Sequence, residues 1–518
     1  MTNRDSMPHA SGLPTKTVGV RVVWLFLLIL LVGFASASAV IGQAKRPRPS
    51  KIESWRRQPP KPAAPRSLTL PAVRETRLDN GLTLLLIEDH RSPIVTIIVG
   101  IPVKTEPSSD IAELTNQIAL FEATAELITE GAGTRSSEQV AREVETLGGR
   151  LSSAANDDYA DVSVSVVSEN AERMMDLVGD VLLRPTFPET EVALHKRNRI
   201  QTLAVQRQDP SYLAREQFDR IVYGTHPYAI SSPTPESIDA LDRNKISAFY
   251  GSHFGPRGSV AVIVGDFDAG RIESKARGIL SGWKEPQNKP ASTRAEAQSV
   301  KTAERQVYLI DRPGSEQADF RIGAPGVKRR DPDYFPLLVA NSILGAGTGS
   351  RLFLNIREQK GYAYDVYSSL SALRLGGTFF AGAETRTEVT VRAIEEMLAE
   401  FDRLREVKVG PRELQGAKNY INGLFSLSLS AQGGVAERIL QSRMLELGVD
   451  YLETYRSRIE SVTAEQVQSV ARKYILSDRP VIVVVGDASK LAKDLRTIGS
   501  VQVFDIEGKP LKQAIPSN

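Results

Sequence analysis

The chain has 518 residues, 41% of them apolar, which is enough for two or more domains with large cores. Its 65 basic and 62 acidic residues nearly balance, so no nucleic-acid partner is expected. The absence of cysteine excludes thiolate catalysis, cysteine-ligated metals and disulfide scaffolds.

Residues 1–42 are predicted to be a signal peptide or a membrane anchor. Lys16 and Arg21 precede an apolar stretch at 22–34, and the small residues that follow offer cleavage sites. An uncleaved anchor is the alternative, because the apolar and small residues together are about long enough to span a bilayer. In either case the globular part is expected to be exported, with the periplasm as its compartment.

A tether at 43–72, rich in proline and basic residues, precedes two periodic segments at 73–284 and 304–518. Between them, residues 285–303 lack large apolar side chains except Val300 and predict an interdomain linker. In the first segment, strands are expected at 77–88 (a hairpin), 94–99, 161–166 and 260–264, and helices at 111–129, at 136–147 with Ser136 as N-cap, and on both sides of Arg184-Pro185. In the second, strands are expected at 306–310 and 319–323, helices at 334–344 and between 387 and 471, and a helix followed by a strand over 351–370.

The two segments contain an internal repeat. Residues 241–266 and 462–487 each predict a helix followed by an apolar strand, VAVIVGD in one and VIVVVGD in the other. Asp487 follows Asp266 by 221 residues, and the same offset superposes the helices. The repeat predicts an α+β fold of two homologous halves, each an antiparallel-rich sheet covered by helices.

Several familiar catalytic patterns are missing from the sequence. The glycine-rich segment 345–351 lacks the Gly-Lys-Ser/Thr ending of a phosphate-binding loop, and no G-x-S-x-G is present. The five histidines are scattered, with no pair at i and i+4: His9, His90, His195, His226 and His253. Phosphate binding and serine catalysis are therefore not expected.

Five segments form a combination that is more specific than any one of them. They are LDNGLTLLLIEDHRSP at 78–93, ITEG and TRS around Gly131, HPY at 226–228, the two VGD strand ends, and SRLFLNIREQKGYAYDVYS at 350–368. Together they resemble the pitrilysin/insulinase family of zinc peptidases, in its mitochondrial-processing-peptidase-like branch. The resemblance spans about residues 74–505 and implies that the two halves form a clam-shell.

The resemblance also implies a zinc site that this chain has lost. In the family, H-x-x-E-H on a helix supplies two zinc ligands and a general base, and a downstream glutamate completes the ligand set. Alignment on Gly131 places the two histidine positions at Glu122 and Glu126 and the general base at Ala125, and the downstream window 199–203 has no carboxylate. The two glutamates could share a helix face and hold a hard cation weakly, but they are expected instead to be solvated or paired locally. The chain is therefore expected to hold no metal and not to hydrolyse peptides alone.

Arg357 and Tyr364 match an arginine and a tyrosine that the second half of active family members supplies. The resemblance implies that they hydrogen-bond the substrate backbone and the developing oxyanion, for which a guanidinium and a phenol are suited. The simpler alternative is that Arg357 pairs with a neighbouring acid and Tyr364 packs at a sheet edge.

These features predict a non-zinc-binding subunit of a hetero-oligomeric metallopeptidase. Its partner would be a homologous subunit bearing H-x-x-E-H and the zinc, and its substrate an unfolded protein or peptide that adds as a strand to a sheet edge. The alternative is a non-enzymatic scaffold or peptide-binding protein, which would need the fold but neither Arg357 nor Tyr364.

Overall fold

The computed structural model describes residues 72–102, 108, 110–286 and 304–511, which contain two six-stranded sheets covered by helices. The predicted signal or anchor, nearly all of the tether and most of the linker lie outside these residues. None of the helices in the described part is long and apolar enough to cross a membrane. The predicted α+β class with two similar halves is confirmed.

The first half is built on a sheet with one parallel pair of strands. Its strands are β1 (Arg74–Arg77), β2 (Thr83–Glu88), β3 (Ile94–Pro102), β4 (Arg150–Ala155), β5 (Tyr159–Val167) and β6 (Val260–Gly265). They lie in the order β1-β2-β6-β3-β5-β4, and only β2 and β6 are parallel. The helices are α1 (Ile111–Leu127), α2 (Ser137–Thr146), α3 (Ala171–Leu183), α4 (Glu189–Gln206), α5 (Pro210–Tyr223), α6 (Pro235–Asp239), α7 (Arg243–His253) and α8 (Ala269–Leu280).

The second half repeats this plan. Its strands are β7 (Gln306–Asp311), β8 (Gln317–Pro325), β9 (Ala363–Ala372), β10 (Gly377–Arg386), β11 (Val481–Gly486) and β12 (Ser500–Phe504), in the order β12-β7-β11-β8-β10-β9. Its helices are α9 (Tyr334–Leu344), α10 (Thr390–Glu406), α11 (Pro411–Ser428), α12 (Gln432–Met444), α13 (Tyr451–Ser461), α14 (Ala464–Tyr474) and α15 (Ala488–Leu495), with a π-helix at Phe353–Gln359.

The offset of 221 residues is confirmed, since α7 and α14, and β6 and β11, begin that far apart. The outer edge of the sheet does not repeat. β1 lies antiparallel to β2 and precedes it in the chain, whereas β12 lies parallel to β7 and comes from the end of the second half. Five strands of each sheet are therefore duplicated, and the sixth is supplied differently.

A pair of repeat-equivalent helices is exchanged between the halves. α5, from the first half, packs on β8 and β11 of the second sheet, and α12, from the second half, packs on β3 and β6 of the first. Each exchanged helix lies against a strand glycine: a Cβ on Gly100 would lie 2.7 Å from Leu440 Cδ1, and one on Gly323 would lie 2.8 Å from Phe218 Cζ. Only a residue without a side chain allows the helices to approach this closely.

Polar contacts also bind the β9–β10 turn to the first half. Asp158 accepts hydrogen bonds from the Tyr228 hydroxyl and, at 3.0 Å, from the backbone N–H of Arg374. The Tyr228 oxygen in turn accepts from the Leu375 N–H at 3.3 Å. A buried carboxylate that accepts hydrogen bonds from several donors therefore joins the two halves at this turn.

Candidate functional site

The positions aligned with the lost zinc site lie on α1 and differ in burial. Ala125 is 1% exposed and packs in the core of the first half. Glu126 is exposed, and the side chain of Glu122 is 23% exposed. A methyl group buried in the core cannot act as a general base, so the position aligned with the family's glutamate offers no group to activate a water.

Helix α4 places Arg199 beside Glu122 and His195 beside Glu126. Arg199 Nη2 lies 2.9 Å from Glu122 Oε2, and His195 Nδ1 lies 3.4 Å from Glu126 Oε2. The two glutamates are four residues apart on α1, and their partners are four residues apart on α4. The first glutamate pairs with the later residue of α4, as expected for helices that run antiparallel. Arg199 Nη2 also lies 3.3 Å from Ser232 Oγ. The Arg199–Glu122 ion pair and the His195–Glu126 contact therefore link α1 to α4.

Burial dominates the electrostatics of these groups. It raises the pKa of Glu122 to about 7, against the opposing effect of the Arg199 guanidinium. It lowers the pKa of His195, against the opposing effect of the Glu126 carboxylate. Within the part of the chain that the structure describes, no cluster of three or more histidine, aspartate or glutamate side chains is placed to hold a metal ion. A zinc ion does not fit beside the Arg199 guanidinium, and no catalytic step is assigned to one here.

We expect the contribution of Glu122 to the free energy of unfolding to fall as pH rises from about 4.5 to about 7, because Glu122 has its higher pKa in the folded state. The folded chain holds the extra proton in that window, so ionisation at higher pH favours the unfolded chain. Glu122→Gln removes this contribution. The free energy of unfolding of this variant, relative to that of the wild type, should therefore increase by about 1–3 kcal/mol between pH 5 and pH 8. Urea denaturation at the two pH values measures the difference.

Asp89→Asn is the control for this experiment. Arg91 holds the pKa of Asp89 below its usual 3.8, so this carboxylate stays ionised in both states at pH 5 and at pH 8. The difference between Asp89→Asn and the wild type should therefore not change between these pH values. A constant difference for Glu122→Gln as well would show that Glu122 does not titrate in this range.

Arg357 and Tyr364, predicted as a functional pair, lie together in the second half. The guanidinium carbon of Arg357 is 4.7 Å from the centre of the Tyr364 ring and 4.7 Å from that of Phe353. Such cation–π contacts hold a guanidinium without using its N–H donors. Tyr364 is 84% exposed on the edge strand β9. The pair therefore presents a phenol and a guanidinium to solvent.

The simpler alternative is weakly supported by the contacts. Arg357 Nε lies 3.6 Å from Glu358 Oε1, with both side chains partly exposed, and such an ion pair contributes little. Tyr364 does not pack into the sheet edge. In the described residues, neither the Arg357 guanidinium nor the Tyr364 hydroxyl makes a hydrogen bond within the protein.

Arg357 lies in the π-helix, which is attached to α10 by hydrogen bonds and an ion pair. Asn355 donates hydrogen bonds from Nδ2 to Glu400 Oε1 at 2.8 Å and to Glu396 Oε2 at 3.1 Å, both on α10. Lys360 Nζ lies 2.8 Å from Glu396 Oε1. Single π-turns occur often at functional sites, because the extra residue redirects side chains. Here the turn places Arg357 between two aromatic rings.

Two family models match the chain, and together they cover more than half of it. The model for the insulinase family, peptidase family M16, matches residues 124–236. The model for the peptidase M16 inactive domain matches residues 240–421. The chain belongs to the insulinase family. The first matched segment lies within the first half, and the second begins in the first half and extends into the second.

Named relatives in this family are called zinc proteases. One from Streptomyces coelicolor, described as an uncharacterized zinc protease, is 28% identical over 70% of this chain and 79% of its own length. Another, the uncharacterized zinc protease YmxG of Bacillus subtilis, is 22% identical over 78% of this chain and 96% of its own. These relatives are named zinc proteases, but the sequence of the present insulinase-family chain contains no H-x-x-E-H.

Two solved structures share the fold of this chain. The peptidase M16 inactive domain from Pseudomonas fluorescens superposes with a TM-score of 0.72 at 25% identity, over 80% of this chain and 98% of that one. A protease from Helicobacter pylori gives a TM-score of 0.73 at 16% identity, over 80% and 100% of the two chains, and shows the fold alone.

The sequence analysis missed the roles of Arg199 and His195 in this insulinase-family chain. The window containing Arg199 was predicted only to lack a carboxylate, and His195 was treated as isolated. A signal was present, because Glu122 and Glu126 on one helix and His195 and Arg199 on another have the same spacing of four residues and opposite charge. Pairing them requires knowing that the two helices are neighbours.

Proposed function

We propose that this chain is the non-zinc-binding subunit of a two-chain peptidase, and that Arg357 and Tyr364 act on peptides that a zinc-bearing homologue cleaves. Members of the insulinase family often work as paired subunits. The observation that carries the proposal is the Arg357–Tyr364 pair, with Tyr364 84% exposed, in a chain whose aligned metal position holds an Arg199–Glu122 ion pair.

The chemistry of the pair suits stabilisation of a tetrahedral oxyanion. The guanidinium offers a planar set of N–H donors, and the phenol offers one O–H donor, both directed by a rigid support rather than by a loop. Donors fixed before the reaction need no reorganisation when negative charge develops. Bond cleavage itself belongs to the partner in this proposal, because Ala125 occupies the position aligned with the general base.

The substrate proposed is an unfolded peptide that adds to a sheet as a strand. Among the described strands, β9 is an outer strand of the second sheet and carries Tyr364. A peptide paired with its outer edge would run beside this phenol. We also propose export to the periplasm, supported by the apolar stretch at 22–34, which is either a cleaved signal or an anchor.

Reconstitution tests the proposal. The chain and a homologue with H-x-x-E-H are purified separately, mixed, and assayed with an unfolded peptide while bound zinc is measured by elemental analysis. Cleavage should require both chains, with the zinc in the partner only. One tightly held transition metal ion in the isolated chain, together with cleavage by that chain alone, would refute the proposal. A complex that forms without any gain in rate would favour the scaffold alternative.

A further inference from the structure

The second half contains a partly open cavity of about 220 Å³ that the proposed function does not use. It lies between α9, α11, α12 and α13, and its walls are largely aromatic and aliphatic. Three buried tyrosines line it: Tyr334, Tyr451 and Tyr455. We call it the tyrosine-lined cavity. Its size is below the range of about 300–1,000 Å³ that is typical for drug-sized ligands, so it suits a small molecule or one terminal residue of a peptide.

The charged groups of this cavity are both cations. Arg329 and Arg438 line it, and no carboxylate does. Arg329 lies 4.1 Å from the centre of the Tyr334 ring and donates to the Tyr334 hydroxyl. Arg438 donates from Nε to Ser428 Oγ at 3.2 Å and from Nη1 to Gln441 Oε1 at 3.2 Å. Within the described residues, neither guanidinium lies within ion-pair distance of an acidic side chain.

Three polar groups in the cavity wall make incomplete hydrogen bonds in the described structure, and one of them is the Tyr451 hydroxyl. Arg329 Nε is buried and has no acceptor, and Asn341, 7% exposed, has no partner for Oδ1. Buried groups of this kind are rare, because leaving one unsatisfied costs about 1–3 kcal/mol. A half-turn of the Asn341 amide exchanges its oxygen and nitrogen, so it can also present N–H donors to the cavity.

We propose that the tyrosine-lined cavity binds a small carboxylate with an apolar body, held by Arg329, Arg438 and Asn341. Two guanidinium groups without counter-ions attract an anion, and a carboxylate matches their paired N–H donors. The aromatic and aliphatic walls favour an apolar body over an inorganic ion. The carboxylate could belong to a free acid or to the C-terminal residue of a peptide.

Calorimetric titration of the full chain tests this proposal, with phenylacetate as the probe. A ligand of this size should bind with a Kd of about 0.1–1 mM. Phenylacetamide has the same shape without the charge and should bind at least about tenfold more weakly. A short peptide that ends in phenylalanine is compared with its C-terminal amide. If only the acid form of the peptide binds, the site is assigned to chain termini. If neither peptide binds but phenylacetate does, the site is assigned to free acids.

Variants identify the groups involved. Arg438→Gln should weaken phenylacetate binding by about tenfold, and Asn341→Leu by a smaller factor. Arg458→Gln is the matched control, because Arg458 lies 5.7 Å from the Tyr451 ring but is paired with Asp450 and does not line the cavity. Thermal unfolding of each variant establishes that it is folded. Three outcomes would each overturn the proposal: equal binding of phenylacetate and phenylacetamide, binding of inorganic phosphate only, or no binding of phenylacetate at concentrations far above 1 mM.

Discussion

Replacement of Tyr364 by phenylalanine, or of Arg357 by alanine, should lower the rate of peptide cleavage by the reconstituted two-chain enzyme by about 10²-fold or more. The loss should appear in kcat rather than in KM, because a group that stabilises only the transition state contributes little to binding of the ground state. Tyr364→Phe removes one oxygen atom from a side chain that is 84% exposed, so the stability of the chain should not change. Steady-state kinetics and urea denaturation of both variants measure these effects.

A second arginine–tyrosine pair in the same half provides the matched control. The guanidinium carbon of Arg392 lies 5.3 Å from the centre of the Tyr362 ring, so this pair has the same type of contact close by in the chain. Arg392→Ala and Tyr362→Phe should leave the reconstituted rate within about twofold of the wild type, since a surface change away from the site has little effect. Unchanged rates for Arg357→Ala and Tyr364→Phe would show that the pair is not catalytic, and the scaffold alternative would then be preferred.

Phe218→Ala should have the largest effect on stability, a loss of about 3–5 kcal/mol, and the damage should appear in the other half of the molecule. Phe218 belongs to α5, yet its ring is fully buried and packs in one cluster with Val481, Val483 and Val485 of the second sheet. Removing the ring leaves a cavity under β8 and β11. Hydrogen exchange should therefore become faster in these strands than in β3 and β6.

Phe121→Ala is the matched control for this experiment. Phe121 is also a buried phenylalanine on a helix of the first half, 4% exposed, but α1 packs on β4 of its own sheet. Its truncation should cost a similar free energy of unfolding and increase hydrogen exchange mainly in the first sheet. If Phe218→Ala increased exchange in the first sheet alone, the exchanged position of α5 would be wrong.

Local patterns in the sequence predicted much of the fold. Alternating and unbroken apolar runs gave β5, β6 and β11, and the spacing of Ser136 and Gln139 predicted the capping box that begins α2. The constant offset of 221 residues predicted the duplication. These features depend on neighbouring residues or on comparison of the chain with itself, so sequence alone is sufficient for them.

Features that depend on distant parts of the chain were not predicted. The amphipathic pattern of α5 shows that one face is buried, but not which sheet it covers. The π-turn at Phe353–Gln359 has no pattern that separates it from an α-helix. The Arg199–Glu122 pair joins residues 77 positions apart, and its formation depends on how α4 crosses α1. The family resemblance indicated Arg357 and Tyr364, and their mutual contact follows from the fold.

The exchange of α5 and α12 also bears on how the duplicated chain arose. Each half covers its partner's sheet with an equivalent helix, which is the arrangement of a swapped dimer with twofold symmetry. A half-length ancestor with this helix would have left an apolar sheet face open to water unless a second copy closed it. Gene fusion would then have made permanent an association that the ancestor already required, and it freed the two copies to diverge at their edge strands.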